Sequence, residues 1–311
     1  MSRKCLIFTN ILVLCLFLSA IGCASVDSKP FVKFDSAVRE AGTGIDSAMS
    51  VNYDWTRSGF IESFSNDPSS KFSKLIIQVG DKYSWSMQSP PIYLDIKRTR
   101  SALNELNNAF TEYADLLVKL SGGELIKTDT FDQLAKDLNK NASDASKALQ
   151  VSATPTELAF VSTAASEAAR LYIENKRQGH LIDALEKNQE NVQKYSDLCI
   201  ELIHIIRGNI KTYYVEKYDP IATAWNSTTG EKRRTQTEAM LTLNERFTNA
   251  LGVLQELEVT YSAIPKAHAD LSKAIKDNKS DLQGIQQLYS SGARLQRLYS
   301  ELKKANPDKA K

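Results

Sequence analysis

Apolar residues recur along this chain at alternating steps of four and three. Ile92, Ile96, Leu103, Leu106, Phe110, Tyr113, Leu117 and Leu120 keep that spacing, and only Thr99 breaks it. Such steps hold side chains on one stripe of a helix, so the segment predicts a heptad seam. Pro90-Pro91 precedes it and Ser121-Gly122-Gly123 closes it, a start and a stop of the kinds helices use.

The same period returns further on. Phe131, Leu134, Leu138 and Ala145 mark a second helix behind the capping box Thr130-Phe131-Asp132-Gln133. Thr154-Pro155-Thr156-Glu157 opens a third, with Val161, Ala165, Ala168 and Tyr172 on one face and a bend expected near Gly179. Ile182, Leu185, Val192, Cys199, Ile206, Ile210 and Tyr213 continue the pattern to about Tyr218, and Asp219-Pro220 predicts a break or kink. Thr228-Thr229-Gly230-Glu231 offers a further cap, followed by Leu241, Phe247, Leu251, Leu254 and Tyr261 until Pro265 interrupts. A last helix starts at Ser280-Asp281-Leu282-Gln283 and carries Leu282, Ile285, Tyr289, Leu295, Leu298 and Leu302. Residues 72–90 fit less well. Phe72, Leu75, Ile76 and Val79 suit a short helix, whereas Tyr83, Trp85 and Met87 alternate as in a strand. The segment is therefore irregular, with a short helix favoured.

Glycine and proline number only 13 and 8, too few for the frequent turns of a strand-rich fold. The chain predicts an all-α fold, an antiparallel bundle of about six to eight long, heptad-patterned helices packed near about 20°. Residues 31–304 form that single domain, and 305–311 a frayed tail.

The first residues follow another rule. Ser2, Arg3 and Lys4 make a short basic start, residues 5–18 an apolar run, and Ala20-Ile21-Gly22-Cys23 a small-residue site ending in cysteine. The run is short for a free membrane span but long enough for export. This leader resembles the signal peptide and lipobox of bacterial lipoproteins. The resemblance implies that residues 1–22 are cleaved between Gly22 and Cys23, that the Cys23 thiol carries a diacylglycerol, and that 23–30 form a lipidated tether. Position 24 is Ala and not Asp, which in that family implies the outer membrane, facing the periplasm, with the outer leaflet of the inner membrane as the alternative.

Removing the leader changes the charge argument. The chain carries 39 Lys+Arg and 37 Asp+Glu, and loss of Arg3 and Lys4 leaves 37 of each. A balanced surface excludes nucleic acid as the expected partner. Membrane attachment then rests on acyl chains, two or more of which hold stably where one does not. Of Cys5, Cys15, Cys23 and Cys199, only Cys199 remains a thiol, and it falls in the stripe Ser196, Cys199, Leu202, Ile203, Ile206, which predicts burial.

Candidate chemistry is sparse. Glu201-x-x-His204 places a carboxylate and an imidazole on one helix side, but a four-helix metal site needs a second such pair. Neither His180 nor His268 supplies one, so His204 reads as a boundary residue and no metal or cofactor is expected. No serine stands in a nucleophile elbow and no glycine-rich phosphate loop occurs, so no enzyme is expected. Lys97, Arg98 and Arg100 read as a solvated helix face. Tyr213, Tyr214, Tyr218 and Trp225 cluster around Asp219-Pro220 as a candidate ligand or partner surface, while Trp55 and Trp85 read as core or boundary. The expected role is a non-enzymatic scaffold or docking protein of the cell envelope with a protein partner; the alternative is a carrier or sensor of a small apolar ligand, with the aromatic cluster as its mouth.

Overall fold

A computed structural model describes residues 26–66, 92–122, 177–279 and 282–304, with single positions between 133 and 143. The leader with Cys23, the 72–90 segment and the caps at Thr130 and Thr154 lie outside the described residues. Five long helices occur among those described: α1 Lys29–Asn66, α2 Ile92–Gly122, α3 Arg177–Asn226, α4 Gly230–Asp277 and α5 Gln283–Lys304. The chain is an all-α helical bundle.

Cross-helix pairs fix the directions. Asp46 of α1 meets Arg100 of α2, and Arg39 meets Asp115, so these helices are antiparallel. Trp225 meets Thr237 at one end of the α3–α4 hairpin and Glu186 meets Lys276 at the other. Arg294 of α5 reaches Glu256 of α4, while Gly284 reaches Asp270. Thus α1, α3 and α5 run one way, and α2 and α4 return.

The seam of α2 lies in the core. Ile96, Leu103, Leu106, Phe110, Tyr113, Leu117 and Leu120 are all buried, and Thr99, the apparent break, is buried in register with them. Each such leucine contributes about 1.5–3 kcal/mol on leaving water. Helix α1 buries Phe31, Phe34, Ala37, Val38, Ala41, Ile45, Ala48 and Met49, a stripe made largely of small side chains. These allow close approach: a Cβ on Gly44 would come within 2.7 Å of Leu295 and 2.8 Å of Leu257. On α5 the buried stripe is Ile285, Leu288, Leu295 and Tyr299, and Tyr289, expected on it, is 46% exposed. The stripe passes through Ser291 and Gly292, and Gly292 packs against Ala37.

Both prolines, Pro220 expected to break or kink its helix and Pro265 to interrupt it, lie inside continuous helices. Helix α4 passes through Pro265 and α3 through Pro220. A helical proline has no N–H for the carbonyl four residues earlier. At Pro265 that carbonyl belongs to Tyr261, and the Ser196 hydroxyl of α3 donates to it at 2.6 Å. At Pro220 it belongs to Glu216, an exposed residue, where solvent can take the place of the missing N–H.

The hairpin between α3 and α4 turns at 227–229, and Gly230 takes φ 59°, a left-handed angle that glycine adopts freely. Thr229 occupies the N-cap position without a side-chain cap bond, and Thr228 Oγ1 donates back to Ala224 O at 2.8 Å. At the far end of α4, Asn278 closes the helix in the left-handed region, and Lys279 N donates to Ala274 O at 3.2 Å.

Candidate functional site

Beyond Ile210 of α3 and before Ala250 of α4, no residue of the hairpin is buried. From Ile210 to Asn226 this part extends about 24 Å at the helical rise of about 1.5 Å per residue. It forms an arm beyond the core, and the candidate aromatics lie along it.

They divide between two seams. Tyr213 stacks on Trp55 of α1, with ring centroids 5.1 Å apart and planes at 20°. Tyr214, one residue and about 100° further round the helix, stacks on Phe247 of α4 at 4.2 Å, and its hydroxyl donates to Asn244 Oδ1 at 2.6 Å. Tyr218 lies one turn on, 5.7 Å from the Tyr214 ring. Trp225 stands apart at the tip, where its Nε1–H donates to Thr237 Oγ1 at 3.0 Å and the Arg233 guanidinium covers its face at 3.8 Å. Lys217 pairs with Glu62 of α1 and lies 5.5 Å from the Tyr213 ring, and burial lowers its pKa. Between these seams the arm shows water two large apolar side chains, Val215 at 53% and Leu241 at 56% exposure. Leu241 was expected on the buried face of its helix. Its seam is buried only from Ala250 onward, where other helices join the pair.

Comparison with known protein families, curated proteins and solved structures gives no match.

His204 and Glu201 are both exposed. His204 Nε2 lies 3.2 Å from Glu258 Oε1, and Arg207 donates to the other oxygen at 2.5 Å. The Arg207 hydrogen bond, then that of His204, holds the Glu258 carboxyl below its ordinary range. Among the described residues no cluster of three His, Cys, Asp or Glu side chains could hold a metal ion. Arg100, expected to solvate a helix face, instead grips Asp46 through Nε at 2.7 Å and a terminal nitrogen at 3.0 Å. That carboxylate also accepts from Asn104 Nδ2 at 2.6 Å.

Two polar groups inside the core, His268 and Asn107, have no local sequence signature. His268 is fully buried against Phe34 and Tyr113. Its Nδ1 is 2.8 Å from Gln189 Oε1, which can only accept, so Nδ1 carries the proton. Nε2 therefore accepts from the Tyr113 hydroxyl at 2.8 Å. With both nitrogens satisfied in the neutral form, burial pushes the His268 pKa down to about 3. The second group is Asn107, whose Oδ1 accepts from Tyr195 at 2.6 Å and Tyr261 at 3.2 Å. Its buried Nδ2 has no partner among the described residues, a deficit of about 1–3 kcal/mol. Next to these phenols lies Cys199, fully buried as expected, its thiol pKa raised by burial. Such a thiol is inert.

Proposed function

We propose that this chain is a lipid-anchored cell-envelope protein, attached through Cys23 and facing the periplasm from the outer membrane, that acts without catalysis as a helical docking scaffold. The basic-then-apolar leader ending in Gly22-Cys23 supports the anchor. No described helix is long and apolar enough to cross a membrane, so in this proposal the acyl chains make the attachment. The observation that carries the docking role is the α3–α4 arm. It keeps its helical pairing through Tyr214, Phe247 and Trp225, yet leaves Val215 and Leu241 in water. A partner covering these two aliphatic side chains, on an arm of which no residue is buried, would gain their burial.

Two experiments test the separate halves. Cys23→Ala should leave an uncleaved precursor or release the protein from membranes, and its N-terminal peptide should lack acyl mass. Normal processing and unchanged membrane attachment would sink the anchor. For the arm, in-cell crosslinking of the wild-type chain is compared with Val215→Glu and Leu241→Glu. A discrete crosslinked complex should vanish in both variants at unchanged thermal midpoint; a complex indifferent to both substitutions places docking elsewhere.

A further inference from the structure

Helix α1 covers only one side of the α3–α4 arm. On α3 that side carries Tyr213, stacked on Trp55, and Lys217, paired with Glu62. Val215 stands two residues beyond Tyr213, about 160° away round the helix. On α4, Leu257 faces Gly44 of α1, and Leu241 stands sixteen residues earlier, again about 160° away. Both exposed side chains therefore lie on the side of the hairpin turned away from α1. The helical repeat extends that side. Glu201, Gly208 and Lys211 join Val215 in a strip of α3 about 80° wide, and Arg234, Glu245 and Thr248 join Leu241 in a strip of α4 about 60° wide; all eight are exposed.

The two strips complement each other. Along α3 the order is Glu201, Gly208, Lys211, Val215, and along α4 it is Arg234, Leu241, Glu245, Thr248. Acid stands against base, glycine against leucine, base against acid and valine against threonine, at spacings that agree to within one residue. Inside one molecule α3 and α4 are antiparallel, so these residues do not meet in this order. A two-fold axis normal to the face reverses a second hairpin and lays α3 of each copy along α4 of the other in the same direction. Gly208 leaves room for the leucine, since a Cβ there would meet nothing within 4 Å. Glu201, Lys211 and Glu245 make no ion pair among the described residues, and the pair of Arg234 with Glu238 is exposed. Val259, 38% exposed on the same strip of α4, falls in this register under Asn226 of the second copy. We infer that the arm docks a second copy of this chain, the two hairpins packing face to face as a four-helix layer in which Leu241 seats on Gly208 and Lys211 pairs with Glu245 across the axis. The inference names the partner of the docking arm and rests on that half of the proposed function, not on the anchor.

Sedimentation of the full chain in density-matched detergent micelles tests it. The wild-type chain should be a dimer. Lys211→Glu and Glu245→Lys each set like charges against one another at two symmetric points and should weaken the dimer at least about tenfold. Mixing the two variants restores opposite charges at both points, so a heterodimer should form where neither variant dimerises alone. Gly208→Leu fills the seat of Leu241 at a position open in the single copy, and should abolish the dimer at undiminished helicity. A wild-type monomer, a dimer indifferent to the charge variants, or a mixture that fails to recover overturns the inference. Crosslinking in cells separates it from the reading it rests on. A complex of twice the chain mass supports both; one of any other mass that still depends on Val215 and Leu241 overturns the second copy and leaves the docking arm; absence of any complex overturns both.

Discussion

Pro265 is tolerated because of one hydroxyl on another helix. Ser196 donates to the Tyr261 carbonyl that the proline leaves without its helical partner. Ser196→Ala should therefore cost about 1–3 kcal/mol, the price of an unpaired buried carbonyl. In a Pro265→Ala background the missing N–H returns and the helix satisfies Tyr261 itself. The same serine change should then cost less than about 1 kcal/mol, and urea titrations of the four proteins measure the coupling. Strictly additive costs would refute the arrangement. His268 makes a prediction of its own. An unfolded imidazole titrates near 6.5, whereas in the fold the pKa is about 3. Below pH 6.5 the unfolded chain therefore takes up a proton that the folded chain refuses. Stability falls as pH drops, by up to about 1.4 kcal/mol per unit, and this contribution is flat above pH 7. His268→Gln should lower stability at neutral pH but flatten its slope between pH 6.5 and 5, above the titration of the paired carboxylates. Parallel slopes in denaturant midpoint against pH for the two proteins would reject the account.

Helix α5 depends on α4 for its first turn. Asp270, 5% exposed, reaches from α4 so that Gly284 N donates to its Oδ2 at 2.8 Å, a cap supplied across the helix junction. A Cβ on Gly284 would stand 2.5 Å from that oxygen and 3.1 Å from the Lys266 backbone. Gly284→Ala should therefore lose the cap and shift the junction, at about 1–3 kcal/mol. Amide exchange should accelerate through α5 while the α3–α4 seam stays protected; uniform acceleration would mean that α5 does not open separately. How far each helix could be read from sequence follows from what its stripe is made of. The seam of α2 was legible because Leu, Ile, Phe and Tyr recur there at every heptad step but Thr99. No stripe was read for α1, whose core side alternates Phe34, Ile45 and Met49 with Ala37, Ala41, Gly44 and Ala48, residues that carry little hydrophobic signal yet set the closest contacts. The break read at Pro220 as one of two outcomes, and the interruption read at Pro265, are absent for a different reason. The partner of the freed Tyr261 carbonyl, Ser196 on another helix, is a tertiary fact and has no local signature.

Across the whole molecule, burial divides into a dense body and the sparsely covered arm. Opening free energies should follow that division. Amides of residues 219–242 should exchange orders of magnitude faster than those of 185–206 and 253–275, as mass spectrometry of exchanged peptides would show; equal protection would mean that the arm is covered in solution. The candidate aromatics could be located in sequence, but their division between Trp55 and Phe247 could not, since it depends on which neighbour lies on each side of α3. The pairing of Asp46 on α1 with Arg100 and Asn104 on α2 was not legible either, since no spacing rule connects these residues. The direction of the helices has a mechanical consequence. Helices α1 and α5 are neighbours running the same way, locked by Gly292 on Ala37 and by Tyr299 donating to Thr43 O at 2.8 Å. The start of α1 and the end of α5 therefore face opposite ends of the body. Tension between those two ends would slide one helix along the other, loading these contacts together instead of unzipping them in turn.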